Sequence, residues 1–408
     1  MSYGGARAFA AAFKSLGIDA QPSPEGDVRT LELAGKYTSG DECLPERVTI
    51  GNFFKVIESS DFVPSKTAFF MPTSSGPCRF GQYAPFMKHI LSDQGLDEVF
   101  VVSPTSANGY ADLGSIAGDF MKLGWWALVG SDALRKMLHL YRPHETVPGA
   151  TDEAYEKALD VFCDVMADGS LPVGAKKLNR LTGALEEGRD IIRKVPVDFS
   201  KETLLIGVVG EIFCRLNTFS NEQLIRKLEK FGGQAWLSDI SEWIWYTNAE
   251  QEKNLRMKGR GFSLEMLGVK IREFVQHRYE KKLLAPFAEE FVGLEEPHDA
   301  KEILNDSYRY LPYHGSLGEM VLSVGKAVYL YDKGADGIID ISPFTCMNGI
   351  VTEAIYPKVS KEHDGIPIRT FYFDGNQEDL DNDLGIFMEL ARNYSRRKKR
   401  KRVKRHAA

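Results

Sequence analysis

The chain has 408 residues, 43% apolar and 26% charged. At about 150 residues per domain this predicts two or three domains with sizeable cores, and excludes a single small module or a disordered chain. Formal net charge is −6, but nine Lys/Arg fall in the ten positions from Arg396 to Arg405, leaving −15 for the rest; an acidic body argues against a nucleic-acid-binding surface.

Five cysteines, Cys43, Cys78, Cys163, Cys214 and Cys346, are odd in number and scattered. That pattern does not build a disulfide framework and predicts a reducing, cytoplasmic compartment. The N-terminus carries no basic region followed by an apolar core, and no run approaches about 18 apolar residues, so neither a signal peptide nor a membrane span is expected.

Phe9, Phe13 and Leu16 recur at helical spacing and Gly17 follows as a stop, predicting a first helix. Ile18 to Pro22 reads as a short strand and Pro45 to Ile57 as a helix. TAFFM at 67–71 and EVFVVS at 98–103 are short apolar runs of the buried-strand type, with a helix through His89 and Ile90 between them. Helical patterns follow at 114–129, on to Leu140, and at 154–166. A charged stretch at 193–202 precedes LLIGVVGEIF at 204–213, the strongest buried strand in the chain. Beyond it come a helix at 222–231 with a cap at Ser220 or Asn221, a strand at 234–240 and a mostly helical stretch including 264–279. A helix at 318–331, a strand at 337–341, a helix at 350–363 and a strand at 368–373 complete the pattern. Alternation of this kind specifies an α/β fold with parallel sheets and helical insertions. The expected units are an N-terminal α/β domain over 1–198 carrying Cys43 and Cys78, and a C-terminal one over 199–376 carrying Cys346. A closing helix over 377–395 and a basic, disordered tail over 396–408 follow.

Ligands of parallel α/β sheets gather beyond the carboxyl ends of the strands, where loops run into helices. Cys78 in MPTSSGPCRFG and Cys346 in DISPFTCMNG occupy such loops, and Cys43 in DECLPERVT precedes Pro45 at a helix start. Helix N-termini favour thiolates and anionic groups, so three such cysteines suit one shared metal centre. Against this, a lone cysteine more often packs a core, and spacings of 35 and 268 residues match no compact metal motif. Cys163, four residues after Leu159 on an apolar helix side, reads as core; Cys214 reads as packing close to the site. Glu211 at the end of its strand is either a proton-transfer group or an acceptor of backbone hydrogen bonds. His314 in PYHGSLGE reads as structural more readily than as a cleft residue. Arg79 either offsets the charge of a cluster or makes a surface ion pair, and Ser75, Gly76 and Thr345 are candidate hydrogen-bond donors to cluster sulfurs.

The blocks GDECLPERVTIGNFFKVIE, FFMPTSSGPCRFGQY, GVVGEIFCRLNTFSN and GADGIIDISPFTCMNGIVTEAI resemble those of proteins related to the 2-hydroxyacyl-CoA dehydratase subunits. The likeness runs from about Gly4 to Tyr394. It is strongest to the branch fused to activase ATPase domains in large proteins of anaerobes, the CoA-substrate-specific enzyme activases. It implies two Rossmann-like domains enclosing a low-potential 4Fe-4S cluster in the interdomain cleft, with Cys43, Cys78 and Cys346 on the ligand positions. Asn348 stands where many relatives carry proline, and only Cys163 and Cys214 remain as further thiols, which favours a single cubane over a double one. No G-x-x-x-x-G-K-[ST] or G-x-G-x-x-G occurs, so ATP is expected on a partner, a homodimeric iron–sulfur ATPase acting as activase. The implied activity is activase-dependent reduction or dehydration of a small substrate; the rival is a non-catalytic electron relay. A homo-oligomer is compatible with either, and the basic tail reads as a solvated extension.

Overall fold

A computed structural model describes residues 2–73, 76–105, 111–297, 299–376 and 380–406. About 60% is helix, with two parallel sheets. The first half runs α1 (Tyr3–Ser15), α2 (Val28–Gly35), α3 (Leu44–Ile57), β1 (Ala68–Phe70), α4 (Phe80–Asp93), β2 (Phe100–Val102), α5 (Ala117–Tyr141), α6 (Ala150–Ala167) and α7 (Ala175–Arg193). Then come β3 (Leu204–Gly210), α8 (Ile212–Leu216), α9 (Leu224–Lys230), β4 (Gly233–Leu237), α10 (Ser241–Met257), α11 (Leu264–Leu284), α12 (Ala300–Ser307), α13 (Glu319–Asp332), β5 (Gly337–Pro343), α14 (Met347–Glu362), β6 (Ile368–Phe373) and α15 (Leu380–His406).

The larger sheet has the order β4-β3-β5-β6, all parallel, with Val208 level with Leu237 and with Ile339. Its central strands are buried on both faces. Ile206, Val208, Ile339 and Ile341 enter one core with α9 and α15; Val209 and Ile338 enter another with α12, α13 and α14. Two buried faces explain the near-continuous apolar runs in the sequence. The smaller sheet pairs β1 with β2 over three residues each, Phe69 opposite Val101, and is packed by α3 and α4. A further core joins α1, α5, α6 and α7, and takes Leu283, Phe287 and Phe291 from the second half.

Four expectations need correction. Residues 18–22 form no strand, for the short stretch ends in Pro22 and finds no neighbour to pair with. Strand β3 stops at Gly210 rather than at Phe213. There φ is +116°, and a Cβ would lie 2.1 Å from the Ile341 carbonyl oxygen, so the chain turns at a position only glycine fits. Helices α2 and α7 were not anticipated, although Leu178, Leu181 and Leu185 place an i, i+3, i+7 stripe on α7. Finally, the basic tail is helical to His406 instead of disordered. Lys and Arg are good helix formers, and Lys398 Nζ donates to the carbonyls of Gly334 and Ala335 and pairs with Asp336 at 2.6 Å. No helix among the described residues is long and apolar enough to cross a membrane.

Candidate metal centre

Cys43 is the N-cap of α3, with extended backbone at ψ 156° and Pro45 in the first turn where its missing N–H costs nothing. The helix is buried on two sides. Leu44 and Val48 lie in the core of the larger sheet, while Ile50, Phe53 and Phe54 lie in that of the smaller one. Burial of such side chains contributes about 1.5–3 kcal/mol each, so α3 is clamped between the two sheets with Cys43 at its open end. Cys78 is exposed, in the loop between β1 and α4, and its Sγ accepts from the Phe80 N–H at 3.5 Å. Cys346 caps α14 at the end of β5. The preceding Thr345 has φ +65°, rare for a β-branched residue, and such strain costs about 1–3 kcal/mol and gathers at functional sites. Gly349 lets the first turn of α14 close on the strand end; a Cβ there would be 2.0 Å from Ser342 Oγ.

Arg79 draws the three loops together. Its Nη1 donates to the carbonyl oxygen of Asp41, two residues before Cys43, at 3.2 Å, and to Thr345 Oγ1, beside Cys346, at 3.4 Å, while Arg79 itself follows Cys78. Arg79 thus bridges the loops of Cys43 and Cys346. Loss of water around the sulfurs raises all three thiols to about 11, at Cys78 through partial cover of the sulfur in a residue that is exposed as a whole. The charges of Glu211 and Glu319 push Cys78 and Cys346 further up, and Glu211 does the same for Cys43. Opposing them are the N–H groups of Glu46 on Cys43, of Phe80 on Cys78 and of Asn348 and Gly349 on Cys346. Each sulfur therefore sits at the positive end of a helix. Cys43 Sγ also lies 2.7 Å from the Tyr83 hydroxyl.

Glu211 makes the backbone hydrogen bonds of one of its two readings. Its carboxylate oxygens accept from Phe213 N–H at 3.0 Å and Cys214 N–H at 2.8 Å, capping α8. Burial raises its carboxyl above the usual range. Across from it is Glu319, the first residue of α13, whose Oε2 accepts from Asn348 Nδ2 at 2.9 Å. Burial, then the Glu211 charge, raises Glu319 to about 7. Asn348 thus ties the Cys346 helix to this carboxyl. Cys214 is buried in the core of the larger sheet, where burial raises its thiol, and it feels the charges of Cys43 and Cys346. Cys163 is buried in the helical core. His314 is exposed, with its ring edge-on to Tyr313 at 5.0 Å. Gly76 has φ +127° in the exposed Cys78 loop, and Ser75 lies outside the described residues.

Among the described residues no three His, Cys, Asp or Glu side chains are placed to hold a single metal ion. The donor set therefore does not suit a mononuclear site. Cys43, Cys78 and Cys346 are thiols at three helix starts whose loops Arg79 bridges, and thiolate is the donor type that iron–sulfur groups take. No family model matches the chain, and no curated protein does. Tyr83 and Glu319 escaped the sequence reading. Tyr83 lies five residues after Cys78 and Glu319 follows Gly318 at a helix start, but nothing local says that either meets a residue tens or hundreds of positions away.

Proposed function

We propose that the chain is an iron–sulfur protein of the 2-hydroxyacyl-CoA dehydratase kind, in which Cys43, Cys78 and Cys346 hold a low-potential 4Fe-4S cluster between two Rossmann-like halves. The observation that carries this reading is Arg79, hydrogen-bonded at once to the loops of Cys43 and Cys346 while adjoining Cys78. Three helix N-termini around the thiols favour a net negative group. Three protein ligands leave one iron without one, and the group would supply single electrons to a small substrate there, on reduction by an ATP-driven activase. The residues of the chain hold the centre: the α3 clamp fixes one thiol, the strained Thr345 turn aims another, and Arg79 keeps the loops in register.

A second reading, an electron relay without chemistry of its own, is favoured by Glu211. Both of its oxygens accept from backbone N–H groups at the start of α8, which gives it a structural task.

Anaerobic reconstitution followed by EPR, with and without acyl-CoA thioesters, tests the proposal. A brown protein with about four irons per chain is expected, with a reduced-state signal that the thioester perturbs if the chain is an enzyme and leaves alone if it is a relay. A colourless, iron-free product would overturn both.

A further inference from the structure

The contact between Tyr83 and Cys43 has a direction that ligation would fix. Tyr83 is 6% exposed, on the second turn of α4, with its ring edge-on to Phe80 at 5.3 Å. Its hydroxyl reaches across from the helix that follows Cys78 to the sulfur at the head of α3, 2.7 Å away. With a thiol either atom can donate. A ligating cysteine has lost its proton, so only the phenol O–H is then left to donate, and a phenol holds its proton at neutral pH. The surroundings of the three sulfurs are unequal. Cys78 accepts from a backbone N–H at 3.5 Å, and the first-turn N–H groups of α3 and α14 face Cys43 and Cys346 without forming cap hydrogen bonds. Cys43 alone among the three has a side-chain hydroxyl on its sulfur among the described residues.

We infer that Tyr83 is a positioning residue for the proposed cluster. Its hydroxyl donates to Cys43 Sγ, stabilises the more negative reduced state and so sets the reduction potential, while tying the Cys78 arm to the Cys43 arm. Hydrogen bonds to ligand sulfurs raise the potential because they offset the charge added on reduction. The inference rests on the function proposed above, and its test separates the two.

Tyr83→Phe removes one oxygen and keeps the ring. The wild type and this variant are reconstituted anaerobically, their iron and acid-labile sulfide are counted, and each is titrated by EPR-monitored redox potentiometry. Equal loading is expected, with the variant about tenfold harder to reduce at fixed potential, a fall of about 59 mV for a one-electron couple. Site-specific 3-fluorotyrosine at position 83 keeps the fold and sharpens the donor, and the potential should then rise. A loaded Tyr83→Phe protein with unchanged potential overturns the role of Tyr83 and leaves the cluster standing. So does a folded variant that no longer loads, because the residue would then be needed for assembly rather than tuning. If Tyr83→Phe does not fold, the fluorotyrosine protein decides alone: no positive shift overturns the inference. A wild type that binds no iron overturns the cluster proposal itself.

Discussion

The two sheets solve the same problem with unequal means. In the larger, β3 and β5 are seven residues long, and every residue of β5 is buried. Cys346 leaves the end of that strand directly. In the smaller, two strands of three residues are held by aromatic packing: Phe53 stacks on Phe69 at 4.1 Å and Tyr37 on Phe54 at 3.8 Å. Cys43 and Cys78 therefore owe their positions to side-chain packing around α3 and α4, and Cys346 owes its own to a backbone ladder. A centre shared between them joins a rigid arm to two packed ones.

The strongest way to break this contrast is Phe54→Ala. Phe54 is 2% exposed in the smaller core, and its truncation should cost about 3–5 kcal/mol. In the metal-free protein, alkylation followed by peptide mass mapping should show Cys43 reacting much faster and Cys346 hardly changed. Equal acceleration at Cys43 and Cys346 would mean that the two arms rest on one cooperative unit.

Glu319 supplies the next effect, on the side of the larger sheet. Its carboxyl is raised to about 7 in the fold against about 4.3 in an unfolded chain, so the folded state binds more protons between those values. Stability from this group is fullest below about pH 4.3, declines as pH rises through the window, and is lost above pH 7. Glu319→Gln, with its amide oxygen still able to accept from Asn348, should remove that decline. At pH 8 it should be more stable than the wild type by about 1–3 kcal/mol, with little difference at pH 4. Urea unfolding of the metal-free proteins at both pH values checks the sign; a Gln variant weaker at pH 8 would refute the buried-carboxyl account.

Arg79→Ala should have the smallest effect on stability, about 1 kcal/mol or less, since the side chain is exposed and makes two hydrogen bonds. Its effect on the site should be larger than on the fold. Crosslinking of Cys78 to Cys346 by a short bis-maleimide should slow in the variant while the urea midpoint barely moves. An unchanged crosslinking rate would show that the loops meet without Arg79.

The sequence disclosed the larger sheet well because a strand buried on both faces leaves an apolar run: β3 and β5 are visible in LLIGVVG and GIIDISP, and the partly buried edge strand β6 shows instead as the aromatic, β-branched segment IRTFYF. The cysteine loops were visible for a related reason, as each lies at a strand-to-helix junction or beside a first-turn proline. What was hidden is what depends on distant partners. Ile18 to Pro22, in which Asp, Ala and Pro are poor strand formers, has no strand to pair with, and α7 hides behind a polar composition with a narrow apolar stripe. Tyr83 and Glu319 carry no local mark of their contacts with Cys43 and Asn348. Glu211 could be placed at the site but not assigned a task, since capping becomes apparent only when the Phe213 and Cys214 N–H groups are seen turning back toward it.

Native mass spectrometry of the anaerobically prepared protein tests the central claim most directly. The account predicts one added mass of four irons and four sulfides on the wild-type chain, absent when Cys43, Cys78 or Cys346 is replaced singly by Ala and retained in Cys163→Ala. A wild type found only at its polypeptide mass, or an added mass that survives Cys346→Ala, would contradict it.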